Sequence, residues 1–292
     1  MPRKSVDTVP SHPELYRAEV LRSVRLSPNL HRVTITGDAL ADFPWRGFDH
    51  WFRLFLRLPH QSDFQLPNLS GTGWWKQYRL IPKARRPHCS NYTVAEFRAE
   101  QREMDIDFVV HRGTDGQLEG AAAIWAVSAR PGEPLALLDQ GILFDKPADA
   151  TEVLIVADES GLPAVGGILR SLPRDTVGRV VQEVPTALDR RDFDGPPGVE
   201  VSWIFRDGSG LNGSTVNATA VNGTAVNSTA LNSTALVGGA MALLALQALP
   251  PVHPDGYAFV VGESSLATSG RRHLHRLGLP KDRITFSGFW KH

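Results

Sequence analysis

The chain holds one cysteine, Cys89, among 292 residues. A single thiol excludes an internal disulfide framework and points to a reducing compartment, so a cytoplasmic protein is expected. With no partner in the sequence, Cys89 reads as a small buried hydrophobe rather than a nucleophile. An excess of either charge is also missing. The 31 basic and 31 acidic residues cancel, so no overall field draws the protein to nucleic acid or to a membrane surface. Nor is there an apolar run of the roughly 18 to 20 residues that a helical membrane span requires. The most apolar stretch, Leu236 to Leu249, is shorter and reads as a core helix. Met1 to His12 is polar and lacks the apolar centre of a signal peptide.

Several chemical motifs are absent too. No Walker-type or GxGxxG loop is present, so a dinucleotide has to be held in another way. No His/Cys group has zinc spacing, and no GxSxG elbow suggests a hydrolase. The histidines are scattered; His273 and His275 lie two apart on a predicted helix, face different directions and read as solvated.

What is present divides into two halves. The length suits two domains of ordinary size, and 42% hydrophobic residues supply their cores. In the first half Tyr16 to Val24, His31 to Thr36, Trp51 to Leu58, Ser90 to Phe97 and Asp105 to Arg112 are rich in β-branched and aromatic residues, with turn formers between most of them. Short strands at this spacing predict an antiparallel β-barrel. A helix is expected over Ala121 to Ala129, then a strand around Leu135 to Leu138.

The second half changes rhythm. Glu152 to Ala157 is a continuous apolar run of the kind found in buried parallel strands. A helix-like stretch from Ala164 to Leu172 follows, and further strands are expected at Arg179 to Val184, Val199 to Phe205, Tyr257 to Val261 and Arg283 to Phe286. Helices at Met241 to Leu249 and Ser265 to Leu277 alternate with the later strands, which predicts an open, mostly parallel α/β sheet. The expected domains are residues 13–147 and 150–292, the second carrying a low-complexity insert at 208–237. Within that insert a five-residue unit repeats from Asn212 to Leu236 (NGSTV, NATAV, NGTAV, NSTAL, NSTAL). Five such units bury too little to fold alone, so the segment reads as an expanded loop.

Two places offer themselves to anions. The helix after Gly120 presents free backbone N–H groups at its start. Asp158 to Leu162 lies at the carboxyl end of the first parallel strand, where open α/β sheets bind ligands; the same residues also suit an ordinary helix cap. Tyr92-Thr93 is an aromatic-hydroxyl pair on a strand, and both residue types favour strands in any case.

Taken in order, GFDHWFRLFL (Gly47 to Leu56), NYTVAEFR (Asn91 to Arg98), DIDFVVH (Asp105 to His111) and WAVSARPGE (Trp125 to Glu133) resemble the siderophore-interacting proteins, a branch of the ferredoxin reductase-like flavoproteins. ADESGLPAV (Ala157 to Val165), DGYAFVVGES (Asp255 to Ser264) and SGFWKH (Ser287 to His292) continue the match. The resemblance implies an FAD-binding β-barrel followed by an α/β nicotinamide-binding domain. It implies reduction of ferric siderophores by NAD(P)H, or by ferredoxin, through FAD, in a protein expected to be a monomer. It places Asn91, Tyr92 and Thr93 at the flavin ring, and His111, Gly120, Ala122 and Ala123 along the adenine and pyrophosphate side. Asp158, Glu159, Pro163, Gly262 and Glu263 resemble the nicotinamide-side signature, and Phe289 and Trp290 the aromatic segment near the flavin. Lys291, with Arg53 and Arg206, is assigned to attraction of an anionic ferric complex.

The chain departs from the family pattern at defined positions. The motif Arg-x-Tyr-Thr-x-Arg has Ser90 and Ala95 in place of its arginines, and Gly-Pro-Ala-Ser becomes Gly120-Ala121-Ala122-Ala123. The glycine and alanine of Gly-Asp-Glu-x-Ala-Leu-Pro appear as Ala157 and Gly161. The alternative expectation is therefore a degenerate member that binds a siderophore or another partner without flavin turnover.

Overall fold

A computed structural model describes residues 10, 14–69, 73–113, 115–209 and 237–292. The Asn-rich repeat lies outside them. The chain divides into two compact units, one running to Ile142 and one comprising Leu143–His292.

Strands rich in β-branched and aromatic residues build the first unit. Strands β1 (Leu15–Ser27), β2 (Leu30–Thr36), β3 (Trp51–Leu56), β4 (His88–Arg98), β5 (Glu103–Val109) and β8 (Pro134–Asp139) close into a barrel in the order β1-β2-β5-β4-β3-β8. Every pairing is antiparallel, and closure leaves no barrel strand with an open edge. Val33, Ile35, Phe52, Leu54, Val94, Ile106 and Phe108 fill the interior and are essentially inaccessible. Each contributes on the order of 1.5–3 kcal/mol by leaving water. A bulge between Val94 and Glu96 interrupts β4 and leaves Ala95 out of register with β5. Helix α2 (Ala121–Ser128) lays Ala122, Trp125 and Ala126 into the same core. A two-stranded hairpin, β6 (His111–Arg112) with β7 (Leu118–Glu119), leads into it. Helix α1 (Trp74–Leu80) was not expected from the sequence. It docks Trp74 and Tyr78 against Phe55 on the outside of the barrel, at ring distances of 6.2 and 6.0 Å.

The second unit is a parallel sheet with helices. Its strands β9 (Val153–Ala157), β10 (Val177–Val184), β11 (Gly198–Phe205), β12 (Tyr257–Glu263) and β13 (Ile284–Trp290) stand in the order β11-β10-β9-β12-β13. Helices α3 (Leu162–Ser171), α4 (Ala240–Ala248) and α5 (Ser264–Arg276) connect them. All five residues of β9 are buried, as befits the central strand of a sheet covered on both faces. The chain leaves β9 toward β10 and later returns to its other side as β12. This reversal of direction opens a crevice at the carboxyl ends, the usual ligand position in such sheets. Among the described residues, no helix is long and apolar enough to cross a membrane.

Candidate functional site

In the barrel unit the expected flavin residues sit on β4 opposite β3. Thr93 pairs with Trp51, Tyr92 with Phe52, Asn91 with Arg53 and Ser90 with Leu54. Strand alternation sends Tyr92 toward the core and turns Thr93 and Asn91 to the other face. Tyr92 is half-buried, its ring 4.5 Å from Phe108, which in turn lies 5.8 Å from Trp125 of α2. Burial pushes the Tyr92 hydroxyl's pKa up, opposed by the nearby Ser90. On the outer face Arg53 Nη1 donates to Asn91 Oδ1 at 2.9 Å. Its guanidinium lies 5.7 Å from the centre of the Trp51 ring and 4.8 Å from that of Trp74. The buried nitrogens Trp51 Nε1 and Arg53 Nε have no acceptor among the described residues.

Gly120 takes φ 86°, a left-handed conformation that favours glycine, and a Cβ there would meet nothing within 4 Å. No side chain caps the helix that follows, and Ile124 donates back to the Gly120 carbonyl at 3.0 Å. The N–H groups of Ala121, Ala122 and Ala123 therefore have no acceptor within their helix. Ala122 and Ala123 themselves are buried, and His111 is exposed opposite Glu119 on the hairpin. This donor set fits a flavin dinucleotide held by ring contacts, orphaned N–H groups and a helix start. The arginine positions offer no cation, since Ser90 is a hydroxyl and Ala95 is a methyl buried in the bulge.

In the α/β unit the strand ends carry a knot of buried carboxylates. Asp158, inaccessible to solvent, accepts bonds from Ser160 N at 2.9 Å, Ser160 Oγ at 2.5 Å, Glu263 N at 2.6 Å and Trp290 Nε1 at 3.0 Å. One carboxylate thereby ties together the ends of β9, β12 and β13. Gly262 allows this: its φ is 128°, and a Cβ would stand 2.6 Å from the Asp158 carboxylate. Glu159 bonds the Arg206 guanidinium through Oε2, while its buried Oε1 has no partner among the described residues. Burial and the neighbouring Asp158 push Glu159 up to about 7, against the pull of Arg206. Arg206 Nε also reaches Glu183 at 2.7 Å, and Glu183 accepts from Gly239 N at 3.0 Å and Ala242 N at 2.8 Å.

The structure brings Asp158, Glu159, Gly262, Glu263 and Trp290 together, with Pro163 in the first turn of α3. Arg206 is engaged inside the knot by two carboxylates, whereas Lys291 is exposed beyond β13. Sequence reasoning missed Glu183 and Gln182. A charged and an amide residue at the end of an otherwise apolar strand, VVQEV, was the available signal. It also missed His50, which is buried, stacked on Phe43 and Trp45, and bonded to Asp139 at 2.8 Å. Cys89 is half-buried beside Phe55, and burial raises its thiol to about 11 although Arg53 pulls it down. His273, expected to be solvated, is half-buried, and burial lowers its pKa.

Comparisons with known proteins follow the same division. Residues 19–142 match the siderophore-interacting FAD-binding domain, and residues 150–292 match the siderophore-interacting protein family. The chain is 32% identical over 191 residues to the ferric vibriobactin reductase ViuB of Vibrio cholerae, a match covering 65% of this chain and 66%, just under two thirds, of that protein. It is 29% identical over 212 residues to the NADPH-dependent ferric-chelate reductase of Escherichia coli, covering 69% of this chain and 78% of that one. Among solved structures, a siderophore utilization protein from T. fusca superposes with a TM-score of 0.72 at 25% identity, covering 96% of this chain and 94% of the other. The barrel is an FAD-binding domain, and with both halves matched in order the chain belongs to the siderophore-interacting protein family.

Proposed function

We propose that this protein is a ferric-siderophore reductase: electrons pass from NAD(P)H through FAD to siderophore-bound Fe(III), and Fe(II) is released in the cytoplasm. One observation carries the reading. A single chain holds the family's FAD-binding barrel and, after it, a parallel sheet whose carboxyl ends gather Asp158, Glu159, Glu263 and Trp290. The relatives named as ferric reductases support it. Bound FAD supplies the change from a two-electron donor to one-electron acceptors. Two ferric ions take up the electron pair of one nicotinamide. Fe(II), less charged and softer, is then held less tightly by the hard oxygen donors of a siderophore.

The side chains divide the work. Asn91, Tyr92 and Thr93 position the flavin ring, the backbone from Gly120 to Ala123 receives its pyrophosphate, and His111 flanks the adenine side. Asp158, Glu159, Pro163, Gly262 and Glu263 shape the nicotinamide side, with Trp290 fixed by its bond to Asp158. Arg53 and Lys291 supply positive charge, each in its own unit, that attracts an anionic ferric complex. The monomer is the working form.

The test is anaerobic mixing of the purified protein with NADPH, NADH or reduced ferredoxin, a ferric siderophore and an Fe(II)-trapping chelator. A yellow protein, a saturable FAD titration and donor-dependent Fe(II) are expected. A colourless protein with no saturable FAD signal refutes the reading. A second reading then takes its place, ferric-chelate binding without flavin turnover. Ser90, Ala95 and Ala123 favour that second reading, because two missing charge-assisted bonds of about 1.5–3 kcal/mol each weaken FAD binding by orders of magnitude.

A further inference from the structure

The α/β unit holds a groove of about 630 Å³ between α4 and α5. Leu243 and Leu266 give it an apolar base. Its α5 wall carries Ser265, Thr268, Ser269 and Arg272, and this spacing puts them on one stripe of the helix. Lys291, just beyond β13, stands at the same groove. Hydroxyls in line with guanidinium and ammonium groups are the donor set that recognises clustered anionic oxygens.

The charges on this wall are not already matched. Neither Arg272 nor Lys291 forms an ion pair among the described residues. The acid on the wall, Glu263, is turned to its own backbone, accepting from Ser265 N at 2.5 Å. The helix starts are likewise occupied: Glu183 takes Gly239 N and Ala242 N at the start of α4, and Glu263 takes Ser265 N at the start of α5. The side chains, rather than free helix-end amides, are what the groove offers.

We propose that the groove between α4 and α5 is a binding site for an oxyanion-bearing ligand, with Arg272 as its recognising cation. The existence of the site stands apart from the reductase reading; the choice between its ligands rests on that reading. Two sources supply the same chemistry, a phosphate of the nucleotide donor and the anionic oxygens of a ferric chelate.

Equilibrium calorimetric titrations of the full chain with inorganic phosphate, NADH, NADPH and ferric citrate separate them. Wild type is compared with Arg272→Gln, Arg272→Glu and Arg272→Lys, all at an exposed helix position and checked for folding by circular dichroism. Loss of one exposed charge weakens the responsive ligand by about two- to fivefold, charge reversal by about tenfold, and lysine restores most of it. Weakening of NADPH but not NADH assigns the site to a nucleotide phosphate; weakening of ferric citrate assigns it to the chelate. The proposal is overturned if wild type and Arg272→Glu bind all four probes alike, or if wild type binds none. Binding that persists in a protein producing no Fe(II) refutes the reductase reading and leaves the site intact.

Discussion

Glu159→Gln is the sharpest perturbation the structure offers. The wild-type side chain is 1% exposed, and its carboxyl is raised from an ordinary 4.5 to about 7. Burial is the largest cause and Asp158 the next, while Arg206 is shared with Glu183 and offsets only part of the cost. The folded protein therefore binds more protons than the unfolded chain between those two pH values. Stability from this group is fully present below about pH 4.5, falls as pH rises, and is gone above about pH 7. At about 1.4 kcal/mol per pH unit the loss is on the order of 3 kcal/mol. Glutamine keeps an acceptor for Arg206 but has no proton to lose. The variant should match wild type near pH 5 and exceed it near pH 8, by roughly 5–10 °C in the melting of the α/β unit. Calorimetric melts from pH 5 to 8 measure the difference directly. Parallel curves for the two proteins across that range would refute the argument, because they would mean that Glu159 titrates alike in the folded and unfolded chain.

Other outcomes follow from the same geometry. Ser90→Arg should restore one phosphate-side cation and tighten FAD about 10- to 100-fold in equilibrium titration, with a steeper salt dependence than wild type; an unchanged affinity would show that this strand position does not face the phosphates. Gly262→Ala should lower stability by about 2–4 kcal/mol in urea denaturation, since it combines a positive φ with a Cβ at 2.6 Å from the Asp158 carboxylate. His50→Ala should cost about 3–5 kcal/mol by the same measurement, because among the described residues it leaves the buried Asp139 carboxylate with the Gly141 N–H at 2.7 Å as its remaining hydrogen bond and opens a gap beside Phe43 and Trp45.

Local pattern carried most of the fold. The continuous apolar run from Glu152 to Ala157 reads as a buried parallel strand and is one, and the β-branched and aromatic residues of 90–97 lie on β4. The two-part architecture, antiparallel barrel then parallel sheet, follows from that change of rhythm. Helix α1 was invisible because seven residues give too little periodicity, and its packing against Phe55 supplies what its own sequence does not. Trp290 reads as part of a trailing aromatic segment, yet it is the last residue of β13 and its indole is fixed by Asp158. Arg206 shows the limit most clearly. From sequence it is a cation at a strand end, free to meet a substrate. In the fold Glu159 and Glu183 arrive from two neighbouring strand ends and claim it. Such partners are set by sheet order, which no window of sequence reports.

The Glu183 carboxylate also fixes two distant points of the chain against each other. One of its oxygens holds both Arg206 and Gly239, and the other holds Ala242. Those contacts lie on either side of residues 210–236, so the backbone departs from the sheet and rejoins it at a single anchored point. Replacing Glu183 would therefore release the end of β11 and the start of α4 together, never one without the other.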